Sequence, residues 1–105
     1  MTPHTGVPAR LRLLSRRGCH LCDALRSRVD AILADLPRDW EVVDVDSDAR
    51  LAAQWGDRIP VLYVNGRLFA KTRLPPIATR LRLRRAAKTP WLPQREDRKS
   101  EDDEV

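Results

Sequence analysis

Two cysteines separated by two residues sit where an apolar strand pattern gives way to an amphipathic helix, in Gly18-Cys19-His20-Leu21-Cys22. A lone C-x-x-C fits a disulfide redox centre or half of a metal site. Its place after a strand and at a helix start favours redox chemistry. Upstream, Ala9 to Ser15 alternates loosely, with Leu11, Leu13 and Leu14 apolar, and reads as a strand. Arg16-Arg17-Gly18 forms the loop that follows. Downstream, Cys22, Leu25, Val29, Ile32 and Leu36 step by three, four, three and four, the stripe of a helix with one buried face. Pro37 ends it.

The rest of the chain supplies partners for that unit. Trp40 to Asp46 holds Val42, Val43 and Val45, a β-branched run expected to be a second strand. Asp46, Ser47 and Asp48 are N-cap candidates for a short helix through Trp55, closed by Gly56. Pro60 to Val64 reads as a third strand, with proline tolerated at its first position. Asn65-Gly66 is a hairpin signal, and Arg67 to Ala70 returns as a fourth strand. Pro75-Pro76 suits the first turn of a last helix, whose apolar stripe would be Ile77, Ala78 and Leu81. Trp40 and Trp55 are expected to pack on the sheet. The order is β-α-β-α-β-β-α. A parallel pair joined by a helical crossover, followed by a hairpin, makes a mixed four-stranded sheet with flanking helices, an α/β fold.

The chain has 105 residues, enough for one domain. Residues 1–8 read as a flexible lead, 9–87 as the domain, and 88–105 as a disordered charged tail. The net charge of +5 is unevenly placed: residues 94–105 carry six acids against three bases, so residues 1–93 hold about +8. A basic domain favours anionic partners without naming one. No apolar run approaches the ~20 residues needed to span a bilayer, so no membrane partner is expected. Met1 to Val7 lacks the pattern of a secretory signal, and a cytoplasmic location is the expectation. In that reducing compartment two neighbouring cysteines are catalytic or metal-binding sooner than structural.

The C-x-x-C between first strand and first helix resembles the glutaredoxin-like branch of the thioredoxin fold. The matching segments also include Val42-Val43-Asp44-Val45-Asp46, Gly56-Asp57-Arg58-Ile59-Pro60-Val61-Leu62 and Asn65-Gly66. The resemblance implies that Pro60 is a cis-proline beside the active cysteine, and that Arg58, Ile59 and Pro60 line the substrate groove. There an extended peptide could pair with the backbone as an added strand. It also implies thiol–disulfide oxidoreductase activity. Glutathione-using members commonly carry Pro-Tyr between the cysteines and a Gly-Gly pair followed by an acid after the fourth strand. Here the residues are His20-Leu21 and Ala70-Lys71-Thr72-Arg73, so no tightly bound cofactor is expected and glutathione use stays open.

Cys19 and Cys22, three apart, lie on one helix face and can close a disulfide. At the helix N-terminus, unpaired N–H groups and the dipole favour a Cys19 thiolate, with Arg16, Arg17 and protonated His20 adding positive charge. Such settings bring a cysteine pKa from about 8.5 into the range of roughly 3.5–7.5. Cys19 is therefore the expected nucleophile, and Cys22, at the start of the buried stripe, the resolving thiol. The substrate would be a disulfide in a protein or small molecule, with the reductant unspecified. Against this stand simpler readings. The cysteines could be core residues. A zinc site needs about four ligands, and Cys19, Cys22, His20 and the distant His4 come without a second C-x-x-C, so no metal is expected; a cluster bridging two chains is a further option.

A second constellation lies in the last helix. Arg80, Arg84 and Lys88, spaced by four, form one ridge beside Arg82 and Arg85. The alternative function is a non-catalytic adaptor that docks an acidic partner through this basic helix. Nucleic acid is not expected, because Trp91 is the lone aromatic nearby and single strands want stacking surfaces.

Overall fold

A computed structural model describes residues 7–92. The first strand, β1 (Ala9–Ser15), sets the layers by alternation. Its Ala9, Leu11 and Leu13 go to one face of the sheet and Leu14 to the other, and all four are buried. Helix α1 (His20–Ile32) crosses over to β2 (Arg38–Asp44), which pairs parallel with β1. A single 3-10 turn, Val45–Ser47, leads into α2 (Ala49–Trp55). The hairpin β3 (Val61–Val64) and β4 (Arg67–Lys71) follows, then α3 (Thr79–Ala87). Strand order is β2-β1-β3-β4, with β3 antiparallel to both neighbours.

Two cores result. On one face Cys22, Leu25, Val29 and Ile32 of α1 and Leu83 and Ala87 of α3 close over Leu11, Leu13, Leu62 and Val64. On the other, Trp55 of α2 packs with Leu14, Val45 and Val61. Both tryptophans expected to pack on the sheet do so: Trp40 lies against the first core and donates its Nε1–H to Asp30 at 2.8 Å.

Several boundaries differ from the sequence expectation. Helix α1 stops at Ile32 rather than continuing to Pro37, and side chains from elsewhere cap the carbonyls at and just beyond its end. Arg38 donates to the Leu33 and Leu36 oxygens at 3.1 Å each, and Arg84 donates to the Ile32 oxygen at 3.0 Å. Leu36 still packs on the core from outside the helix. Strand β2 begins at Arg38 and ends at Asp44, whose Oδ1 accepts the Asp46 N–H and turns the chain inward so that Val45 is buried. Pro60 precedes β3 instead of opening it.

The last helix departs most. Its expected start at Pro75-Pro76 and its stripe of Ile77, Ala78 and Leu81 are wrong. Ala78 has φ +56, and the Thr79 hydroxyl donates back to the Pro75 carbonyl, so the chain turns between the prolines and the helix. That rotation buries Thr79, Leu83 and Ala87, at steps of four, and leaves Ile77 and Leu81 exposed.

The segment read as tail from Lys88 is packed as far as Leu92. Thr89 N–H bonds the Ala86 oxygen, Leu92 N–H bonds the Asn65 oxygen at 2.9 Å, and Trp91 lies under the Arg10 guanidinium, 4.5 Å from ring centroid. Gly66, at φ +87, is where this segment touches the hairpin: a Cβ there would collide with the Leu92 carbonyl. The acidic residues from Glu96 onward, and His4, lie outside the described residues.

Candidate active site

Strand β1 delivers the chain to one end of the sheet at Ser15, and Arg16-Arg17 turns it. Gly18 then adopts φ +78, a conformation that glycine enters without the Cβ penalty. Cys19 follows as the N-cap of α1, with φ −82 and ψ 102, and its Sγ accepts the Cys22 N–H at 3.1 Å. A sulfur thus occupies the place where Ser or Asp usually caps a helix. Cys19 and Cys22 are joined as a disulfide with their Cα atoms 5.2 Å apart. The two sulfurs differ in surroundings. Cys19 is half-buried, whereas Cys22 is 1% exposed within the core under α1.

The 58–60 segment reaches the same end of the sheet. Leu14 pairs with Val61, so one step further the antiparallel register sets Pro60 beside Ser15. The Ile59–Pro60 peptide is cis. Two expectations about this segment are corrected. Pro60 is fully buried, so its side chain is not open to line a groove. The Arg58 and Pro60 carbonyls are already occupied, both accepting the Thr72 N–H, at 3.0 Å and 2.7 Å, with the Thr72 hydroxyl also donating to Arg58. Among the described residues, the Ile59 N–H and carbonyl have no hydrogen-bond partner. The Arg58 side chain is exposed and lies over the Trp55 ring, 5.6 Å from its centroid.

The basic residues flanking the cysteines divide. Arg16 does not offer a free charge. Its guanidinium meets the Asp46 carboxylate with two contacts and also donates to the Gly56 oxygen at 3.4 Å. That hydrogen bond and the Asp46 charge raise the Arg16 pKa, and the same contact holds the Asp46 carboxyl below its usual range. Arg17 and His20 are exposed and form no ion pair among the described residues. Within the basic ridge of α3, Arg84 is taken up by Asp35 through two hydrogen bonds, at 2.7 Å and 3.0 Å, while Arg80 and Lys88 stay exposed. No three His, Cys, Asp or Glu side chains gather as a metal-binding group among the described residues. No helix there is long and apolar enough to cross a membrane.

Sequence reasoning missed Thr72 and Asp46. Thr72 carries φ +68, uncommon for a β-branched residue, and nothing in its neighbours signals a latch on the 58–60 segment. Asp46 stood out as a capping candidate, but its partner lies 30 residues away.

Residues 10–85 match the family model described as "Glutaredoxin-like domain (DUF836)". The chain belongs to this glutaredoxin-like family. Over 62 residues it is 34% identical to the uncharacterized proteins Rv0508 of Mycobacterium tuberculosis and Mb0520 of Mycobacterium bovis, covering 54% of this chain and 64% of theirs. It therefore spans somewhat less than two thirds of the length of these curated relatives. The solution NMR structure of protein Ne2328 from Nitrosomonas europaea is similar with a TM-score of 0.56 and 26% identity, over 64% of this chain and 81% of that one. With the sheet order and helices described above, the fold is thioredoxin-like.

Proposed function

We propose that this glutaredoxin-like chain is a thiol–disulfide oxidoreductase in which Cys19 attacks and Cys22 resolves. In the reduced form the Cys19 thiolate attacks one sulfur of a substrate disulfide. A mixed disulfide forms and the substrate's other sulfur leaves as a thiolate. Cys22 then gives up its proton, attacks Cys19 and releases the second substrate sulfur. Two electrons have passed to the substrate, and the protein is left with the Cys19–Cys22 disulfide. An external thiol must return two electrons to reset it.

The observation that carries this reading is the asymmetry of the pair. Cys19 is the accessible sulfur and receives an N–H at a helix N-terminus, where a thiolate is stabilised. Cys22 is buried three residues along the same helix, reachable by Cys19 and shielded from bulk substrates. The unpaired backbone of Ile59 at the same end of the sheet supports an extended polypeptide substrate beside Cys19. No tightly bound cofactor is needed; glutathione would serve, if at all, as the external thiol. A reducing cytoplasm belongs to the same reading.

The test is a redox titration of the full chain in glutathione buffers, read by mass after alkylation, with two variants. Reversible loss of two hydrogens between Cys19 and Cys22 is expected. Cys19→Ser should abolish reduction of a small disulfide, and Cys22→Ser should leave a mixed disulfide on Cys19. Full activity in Cys19→Ser, or thiols that stay free across the whole range, would remove the assignment.

A further inference from the structure

Beside Leu21, which lies between the two cysteines, a trough begins and runs along α1 toward α3. Its near part is a cavity of about 440 Å³ between Leu21, Ala24 and Leu25 of α1 and the 72–76 loop. Its far part, about 600 Å³, continues between Arg28 and the start of α3, reaching Arg80 and Leu81. Arg28 and Pro76 line both parts, so the two cavities adjoin. One end is therefore the residue between the two cysteines, and the other is the third helix.

The chemistry along this trough is of one kind. Leu21 is 62% exposed and Leu81 58%, and Ile77, 76% exposed, follows Pro76. A single exposed leucine is ordinary, whereas exposed leucines at both ends of one trough that starts beside the cysteine pair mark a contact surface. Arg28, Arg73 and Arg80 line the walls with no Asp or Glu among the lining residues. Arg28 and Arg73 form no ion pair or side-chain hydrogen bond among the described residues. The fourth arginine of the lining, Arg84, is committed to Asp35. Asp23 falls on another side of α1, about half a turn from Leu21 at 100° per residue.

The geometry points to an acidic protein segment with apolar side chains as the occupant, laid along this trough so that its disulfide meets Cys19; placing the reactive sulfur there rests on the oxidoreductase reading. Charge complementarity selects an acidic partner, because cations without carboxylates favour anions and repel basic segments. The leucines and Pro75-Pro76 select apolar side chains. Length selects a polypeptide: a small thiol peptide fills the near cavity and leaves the continuation past Pro76 to α3 uncovered. Nucleic acid fits poorly, since no aromatic side chain lines either cavity for bases to stack on.

Two measurements on the full chain test this. In the first, cysteine-free fluorescent peptides, one alternating Glu and Leu and one alternating Lys and Leu, are titrated against the oxidised protein by anisotropy. The acidic peptide should bind and the basic one should not, and Arg28→Glu and Arg73→Glu should each weaken binding by roughly tenfold. Added salt should weaken it as well. In the second, the same peptides carrying one cysteine as a thiopyridyl mixed disulfide are offered to the reduced protein beside hydroxyethyl disulfide. The acidic peptide should react roughly tenfold faster than the basic one, with the ratio collapsing in both charge reversals. Equal binding of the two peptides, affinity that survives both reversals in folded variants, or complete displacement by glutathione disulfide would overturn the proposal. Absence of any disulfide reduction, with acidic-peptide binding that still depends on Arg28 and Arg73, would remove the oxidoreductase reading and leave the docking surface standing.

Discussion

Arg16 and Asp46 meet with Nε 2.8 Å from Oδ2 and Nη2 3.0 Å from Oδ1, tying the loop before the disulfide to the turn after β2. Both oxygens of the carboxylate are used, the geometry in which an exposed pair has its best chance of contributing. The contact acts as a clamp on the Cys19 loop more than as a source of free positive charge. Arg16→Gln and Asp46→Asn should therefore each lower the urea midpoint, with a smaller difference at high salt. The double variant should lose no more than the worse single variant. Strictly additive losses would show that the contact itself contributes nothing.

The unequal burial of the cysteines predicts their order of reaction. In the reduced full chain, iodoacetamide should modify Cys19 first, because Cys22 is 1% exposed beneath α1. Peptide mass mapping after short exposure should find the label on Cys19, and label on Cys22 should appear only after denaturant is added. Equal labelling of both thiols in the folded protein would remove the division into attacking and resolving roles.

Asp35 gives a signature in acid. Its hydrogen bonds from Arg84, with a backbone hydrogen bond next, hold its pKa at about 2 against an ordinary 3.8. A carboxyl depressed in the folded state adds stability above its unfolded pKa and loses it as pH falls through the folded one. The contribution should thus be complete above pH 3.8 and gone below about pH 2. Asp35→Asn should flatten that part of the stability profile. Asp30, which Arg38 and Trp40 hold below its usual range against the opposing effect of burial, and Asp46 remain in both proteins, so the difference belongs to Asp35. Identical acid limbs in the two proteins would mean that Arg84 exerts no net pull on Asp35.

The strands and the cysteine site were legible because their signals are local. Alternating leucines, a β-branched run and Asn65-Gly66 each specify their own few residues, and the stripe from Cys22 fixes which sulfur faces the core. Family resemblance supplied the cis peptide before Pro60. What was not legible depends on distant partners. Arg38 and Arg84 cap the carbonyls at the end of α1, and nothing within the helix pattern forecasts that. The α3 stripe failed because Ala78 enters a left-handed conformation that alanine rarely takes, rotating the helix away from Ile77 and Leu81. The occupied carbonyls of Arg58 and Pro60 depend on Thr72, a pairing made only when β4 closes on that segment.

Asn65 shows how much a turn signal can conceal. At 6% exposure it is buried, and its φ of +50 suits a hairpin turn. Its Oδ1 accepts the Arg10 N–H at 2.8 Å, and its Nδ2 donates toward the Ala87 and Thr89 carbonyls at 3.0 Å and 2.8 Å. One amide thereby joins β1, the hairpin and the end of α3. Asn65→Ala leaves a buried N–H and the helix-end carbonyls without that partner, and should cost about 2 kcal/mol or more in urea unfolding. Asn65→Asp keeps the acceptor for Arg10 but turns a second oxygen toward the carbonyls, so it should be worse than alanine at neutral pH and should improve toward alanine as acid protonates it. An Asn65→Asp variant as stable as the parent at neutral pH would show that the Nδ2 donors do not hold the end of α3.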